Sequence, residues 1–107
     1  MAPLSAIWSD LYRAGVDVVL NGHAHVYERF GPQDPAGNRD PTHGIREFIV
    51  GSGGANHDPF VGIRANSERR LSAFGVLSMV LRPGSYQWRF VRIPDRVSAD
   101  AGSTPCH

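Results

Sequence analysis

Two histidines separated by one residue, His23 and His25, stand in the run Asn21-Gly22-His23-Ala24-His25-Val26-Tyr27-Glu28-Arg29. They follow a short apolar stretch, Val16-Asp17-Val18-Val19-Leu20. Neutral imidazole is a common ligand of catalytic metals. In an extended segment, residues two apart point to the same side, with Cα atoms about 6.5–7 Å apart at roughly 3.3 Å of rise per residue. Hydrolytic metal pairs lie about 3.5–4 Å apart. The length of an imidazole closes that difference, so each histidine can hold one ion of a pair. Closed and catalytic zinc sites take three or four protein ligands, so these two alone do not make a tight site.

The elements that must position them can be read from the patterning. Leu4, Ile7, Trp8, Leu11 and Tyr12 recur at helical spacing and form one apolar face. Pro3 sits in the first turn and Gly15 just past the end. A strand over about 16–20 then delivers the histidines. A helix, a glycine turn and a nearly continuous apolar strand are the start of an α/β unit. Residues 27–30 read as a short strand, and 31–44, rich in Pro and Gly, as a long loop. Strands are predicted over 45–50, 74–81 and 85–93, the last two joined at Pro83-Gly84. Tyr86, Trp88 and Phe90 share one face of the return strand. Residues 55–73 read as irregular, with 66–70 exposed, and 95–107 as a loose tail. The expectation is α/β: one helix on a mixed or antiparallel sheet of about five strands, a domain segment over 1–94 and a tail over 95–107.

Composition excludes several classes. The 107 residues suffice for at most one small domain. A net charge of +1, with Arg69-Arg70 the only adjacent basic pair, is not the footprint of a nucleic-acid binder. No apolar run approaches the ~20 residues of a membrane span, so no membrane partner is expected. The N-terminus lacks the basic and apolar regions of a signal peptide. The lone Cys106 reads as a free thiol.

Gly22-His23-Ala24-His25 after a buried strand, continued by Tyr27-Glu28-Arg29, resembles the last metal motif of the calcineurin-like metallophosphoesterases, and within them the purple acid phosphatase branch. Trp8-Ser9-Asp10-Leu11-Tyr12, Gly44-Ile45-Arg46-Glu47-Phe48-Ile49-Val50-Gly51-Ser52-Gly53-Gly54, Phe74-Gly75-Val76-Leu77 and Gly102-Ser103-Thr104-Pro105-Cys106-His107 are similar to the C-terminal part of bacterial secreted members. The resemblance implies the C-terminal part of an α/β sandwich, and hydrolysis of a phosphate ester by two metal ions, iron, zinc or manganese. It implies that His23 ligates one ion and His25 the other, and that the complete parent is secreted. Asn21, Tyr27 and Glu28 are the local candidates for orienting the imidazoles.

Family members carry earlier metal motifs, Asp-x-His and Gly-Asp among them, and this chain has neither. Gly37-Asn38-Arg39-Asp40 and Ala55-Asn56-His57-Asp58 mimic another motif but follow the histidines, in the wrong order, and read as turns. Gly51-Ser52-Gly53-Gly54 lacks the ending of a phosphate loop. Glu28 and Arg29 suit either a substrate phosphate or a structural ion pair. The expectation is a truncated portion with little activity alone, its missing half or a second copy covering exposed apolar surface. Two alternatives stand beside it: a non-catalytic relic or interaction module, and a small metal binder using His23, His25 and one of His43, His57 or His107.

Overall fold

A computed structural model describes residues 2–60 and 62–107, with side chains from Ala6 onward. The helical periodicity at the start becomes helix α1, Ala2–Arg13. It stops where Gly15, at φ +79°, takes a left-handed conformation. The Gly15 and Val16 amides then reach back to the carbonyls of Tyr12 and Leu11, both at 3.1 Å, which satisfies groups the helix end leaves open. Strand β1, Val18–Asn21, follows at once. Next come β2, Tyr27–Phe30, and β3, Arg46–Val50. The chain continues through β4, Ser67–Leu71, β5, Gly75–Arg82, β6, Ser85–Arg92, and β7, Ser98–Pro105.

The strands form two sheets. In the first, ordered β1-β3-β2-β4, β1 runs parallel to β3 and the other pairings are antiparallel. The second is an antiparallel β5-β6-β7 meander. The α/β class with one helix is as the sequence predicts, with seven strands divided between two sheets. Their facing sides share an aromatic core of Tyr27, Phe48, Tyr86, Trp88 and Phe90. The Tyr27 and Phe90 rings stack at 4.2 Å, and Phe48 meets Trp88 edge-on at 5.5 Å. The predicted face of β6 is the buried one, because alternate side chains of a strand point to opposite sides.

Two predicted irregular regions are strands. β4 has no apolar alternation; polar contacts anchor it. Glu68 receives Arg29, Arg39 at 2.9 Å and Arg46 at 2.9 Å, and Ser67 Oγ donates to Glu28 at 2.6 Å. The segment read as a loose tail holds β7, whose small residues let it lie close over Trp88. A Cβ added at Gly102 would come 2.3 Å from that indole. Asp100 of β7 also takes the Tyr27 hydroxyl at 2.5 Å and Arg29 Nε at 2.8 Å. The guanidinium groups of Arg29 and Arg46 lie 5.2 and 4.8 Å from the Trp88 ring centre, within cation–π range.

The predicted helix face is only partly covered. Trp8, Leu11 and Tyr12 are half-buried, but Ile7 is 55% exposed, and Leu4 lies outside the described side chains. Tyr12 donates a hydrogen bond to Asp40 at 2.5 Å, tying the helix to the long loop. Each sheet has two edge strands, β1 and β4 in the first and β5 and β7 in the second, with no neighbour beyond them among the described residues. Leu20, Val76 and Leu81, on these strands, are 56%, 63% and 77% exposed.

Candidate metal centre

Strand β1 ends at Asn21, and the next five residues turn the chain back into β2. The turn is tight: the Ala24 amide bonds the Gly22 carbonyl, and the Val26 amide the Ala24 carbonyl, both at 2.9 Å. His23 adopts φ +72°, a left-handed conformation costly for a residue with a Cβ. Such strain gathers at functional sites. β3 backs the turn through Gly51, whose amide donates to the Val26 carbonyl at 3.0 Å. A Cβ at Gly51 would stand 1.9 Å from the Ala24 carbonyl oxygen, between the two histidines. Gly51→Ala is therefore expected to cost about 1–3 kcal/mol and to move the His23 and His25 imidazole resonances in a proton–nitrogen spectrum. Unchanged resonances would refute this backing role.

His23 is exposed and His25 half-buried, as the metal-site reading requires. His25 is the better fixed. Its amide donates to Asp58 Oδ2 at 2.8 Å, and its ring Nδ1 lies 2.8 Å from the Asn56 carbonyl. A carbonyl only accepts, so Nδ1 carries the proton, and Nε2 of the neutral ring keeps a free lone pair. Metal-binding histidines are oriented in this way.

The predicted orienting residues are elsewhere engaged. Asn21 Nδ2 donates to Glu47 at 2.6 Å. Tyr27 points into the aromatic core and onto Asp100. Buried Glu28 receives Arg64 at 2.8 Å and Ser67 at 2.6 Å. Strand alternation sends Tyr27 and Glu28 to opposite faces of β2, so the two cannot serve the turn together. The orienting groups come from Asn56 and Asp58, in the tripeptide that sequence order dismisses as a mere turn. The only signal for them was the closeness of Asn56-His57-Asp58 to the glycine run 51–54. Glu28 and Arg29 form structural ion pairs, with Arg64 and with Asp100 and Glu68 respectively.

The remaining histidines divide. His57 packs its ring 4.3 Å from that of Phe74, on the same loop as Asn56. His43 and His107 gather 6.2 Å apart near the start of β1, where the His107 amide donates to Asp17 at 2.9 Å. That is the opposite end of β1 from His23, so a trio including His43 or His107 is not formed. Among the described residues, no three His, Cys, Asp or Glu side chains come together closely enough to hold an ion. The donors present fit one imidazole for each of two ions, with further ligands required.

No family model matches the chain. Over 38 residues it is 58% identical to purple acid phosphatase 21 of Arabidopsis thaliana, a match covering 31% of this chain and 9% of that protein. Its fold matches that of the purple acid phosphatase PPD1 from yellow lupin, Lupinus luteus, with a TM-score of 0.78 and 22% identity. That match covers 94% of this chain and 19% of the lupin chain. The short, close sequence match and the fold together support a purple acid phosphatase-like relationship for this chain, which spans a small part of the length of either relative.

Proposed function

We propose that these residues are the C-terminal portion of a phosphoester hydrolase and that His23 and His25 each ligate one ion of its metal pair. The observation that carries this is His25, held on a tight turn with Nδ1 bound to the Asn56 carbonyl and Nε2 free. The strained, exposed His23 beside it supports the same reading. Iron, zinc or manganese bound there would supply charge neutralisation and an activated water for attack on a phosphate ester. What this chain does is narrower. Asn56 fixes a tautomer, Asp58 pins the backbone, and Gly51 lets β3 press against the turn.

The other ligands come from the rest of the parent, which we take to be secreted. An apolar groove of about 810 Å³ between β1 and β5, lined by Val18, Leu20, Val50, Val76, Met79 and Leu81 among others, is where that remainder, or a second copy of the chain, would pack. The test is hydrolysis of an aryl phosphate by the purified chain with zinc, manganese or iron. Turnover is expected at the metal-only background. Metal-dependent turnover that disappears in His23→Ala and His25→Ala would instead make these residues a complete catalyst.

A further inference from the structure

His25 is held at three of its atoms. Its ring Nδ1 donates to the Asn56 carbonyl at 2.8 Å. Its amide donates to Asp58 Oδ2 at 2.8 Å, and its carbonyl accepts the Asp58 amide at 3.2 Å. All three partners lie within Asn56-His57-Asp58, so the aim of His25 depends on where that tripeptide sits.

The tripeptide lies on an open loop. Every residue from Gly53 to Phe60 is exposed. Gly54 and Gly62 flank it at φ +152° and +122°, backbone that favours glycine. A cavity of about 330 Å³ opens between Pro59, Phe60 and Ile63 of the loop and Ala24, Val26 and Glu28 beneath. An exposed loop over a cavity, with glycines at both ends, moves unless something ties it down.

His57 supplies the tie. Its ring lies 4.3 Å from that of Phe74, the planes tilted by 37°. Aromatic pairs in such contact attract beyond the area they bury. Phe74 is itself firmly rooted. Its carbonyl accepts the Ile93 amide at 3.0 Å, and the Gly75 amide after it donates to the Ser52 carbonyl at 3.1 Å. Gly75 lies so close to β6 that a Cβ there would stand 2.5 Å from the Val91 carbonyl oxygen. Phe74 is thus fixed where the ends of β3 and β6, one from each sheet, come together. A path of contacts runs from the second sheet through Phe74 and His57 to the groups that aim His25.

We propose that His57 and Phe74 are positioning residues: their ring contact holds Asn56 and Asp58 in place and so keeps His25 as the Nδ1–H tautomer with Nε2 free. The purpose of this device rests on the metal reading above, since Nε2 is the atom offered to an ion. The ring contact and the tautomer are measurable without metal. His57 thereby has a task other than metal ligation.

The experiment is long-range proton–nitrogen correlation on the full 107-residue chain at about pH 8, above the ordinary imidazole range. It distinguishes the two neutral tautomers of each histidine. His25 of the unaltered chain should be the Nδ1–H form. His57→Ala and Phe74→Leu should each raise the population of its Nε2–H form about tenfold, as expected for loss of one oriented hydrogen bond. Both should also speed hydrogen exchange of the His25 amide about tenfold. His57→Phe keeps a ring against Phe74 and should restore both signals. Ile63→Ala, on the same loop but 72% exposed, should change neither. His57 is exposed, so His57→Ala should leave the denaturant midpoint of the chain in place. The proposal is overturned if His25 keeps its tautomer in both His57→Ala and Phe74→Leu, or if His57→Phe behaves like His57→Ala. Manganese, which broadens resonances near the ion, separates this proposal from the metal reading. Broadening of His25 that needs about tenfold more manganese in His57→Ala than in the unaltered chain supports both. A tautomer that follows the ring contact, with His25 unbroadened in every chain, supports the proposal and sinks the metal reading. Equal broadening in every chain with an unmoved tautomer sinks the proposal and leaves the metal reading standing.

Discussion

In the complete parent protein, on the function proposed above, His23→Ala or His25→Ala is expected to lower turnover of a phosphate ester by about a thousandfold or more. Each change would empty one of the two metal positions proposed above, and charge stabilisation of that kind is worth at least two to three orders of magnitude per lost group. In the 107-residue chain the same changes should leave hydrolysis at background. His23→Gly is a useful companion, because glycine accepts the φ of +72° that His23 adopts without the Cβ penalty. It should keep the turn and lose the activity. If His23→Gly stays active in the complete protein, the imidazole is not a ligand.

Asp100→Ala should be the most destabilising single change in the chain, costing about 3–5 kcal/mol, the usual result of stranding a buried charge. The carboxylate is 7% exposed and accepts from Tyr27 at 2.5 Å and from Arg29 at 2.8 and 3.2 Å. Burial alone would raise its pKa, but the hydrogen bonds from Arg29 and Tyr27 outweigh burial and hold it below the usual carboxylate range. Glu68 is likewise held low, burial being outweighed by Arg46 and Arg39. Burial first, and then Asp100, push the Tyr27 phenol far above its ordinary value, so it remains a donor at any working pH. A depressed carboxylate contributes stability that is present above its unfolded value, about pH 4, and is lost as pH falls through the folded value. Denaturant titrations from pH 7 to pH 2 should show stability level down to about pH 4 and falling below it. Asp100→Asn should start lower and fall less steeply. If its acid limb parallels that of the unaltered chain, Asp100 is not the source.

The histidine turn, α1, β1 and the aromatic face of β6 were legible because each follows from a local rule: helical spacing, a glycine stop, an apolar run, alternation. β4 and β7 were not. Ser67-Glu68-Arg69-Arg70-Leu71 and Ser98-Ala99-Asp100-Ala101-Gly102-Ser103-Thr104-Pro105 carry no apolar period. Their strand state is imposed by partners far along the chain: arginines for β4, and Trp88, Tyr27 and Arg29 for β7. The orienting groups of His25 were hidden for the same reason. Asn56 and Asp58 lie 31 and 33 residues from it, and the Asn56 contribution is a backbone carbonyl, which no side-chain motif announces.

The Tyr27–Asp100 bond spans 73 residues and has a consequence for biosynthesis. Translation proceeds at about 5–20 residues per second, so β2 leaves the ribosome several seconds before its acceptor exists. During that interval the Tyr27 phenol and the Arg29 guanidinium have no Asp100, and the groove over Trp88 that β7 will close stands open. A message cut short before the codon for Ser98 would yield a nascent chain with the whole histidine turn but without the carboxylate that Tyr27 and Arg29 share. Such a product is a natural client for chaperones and for degradation.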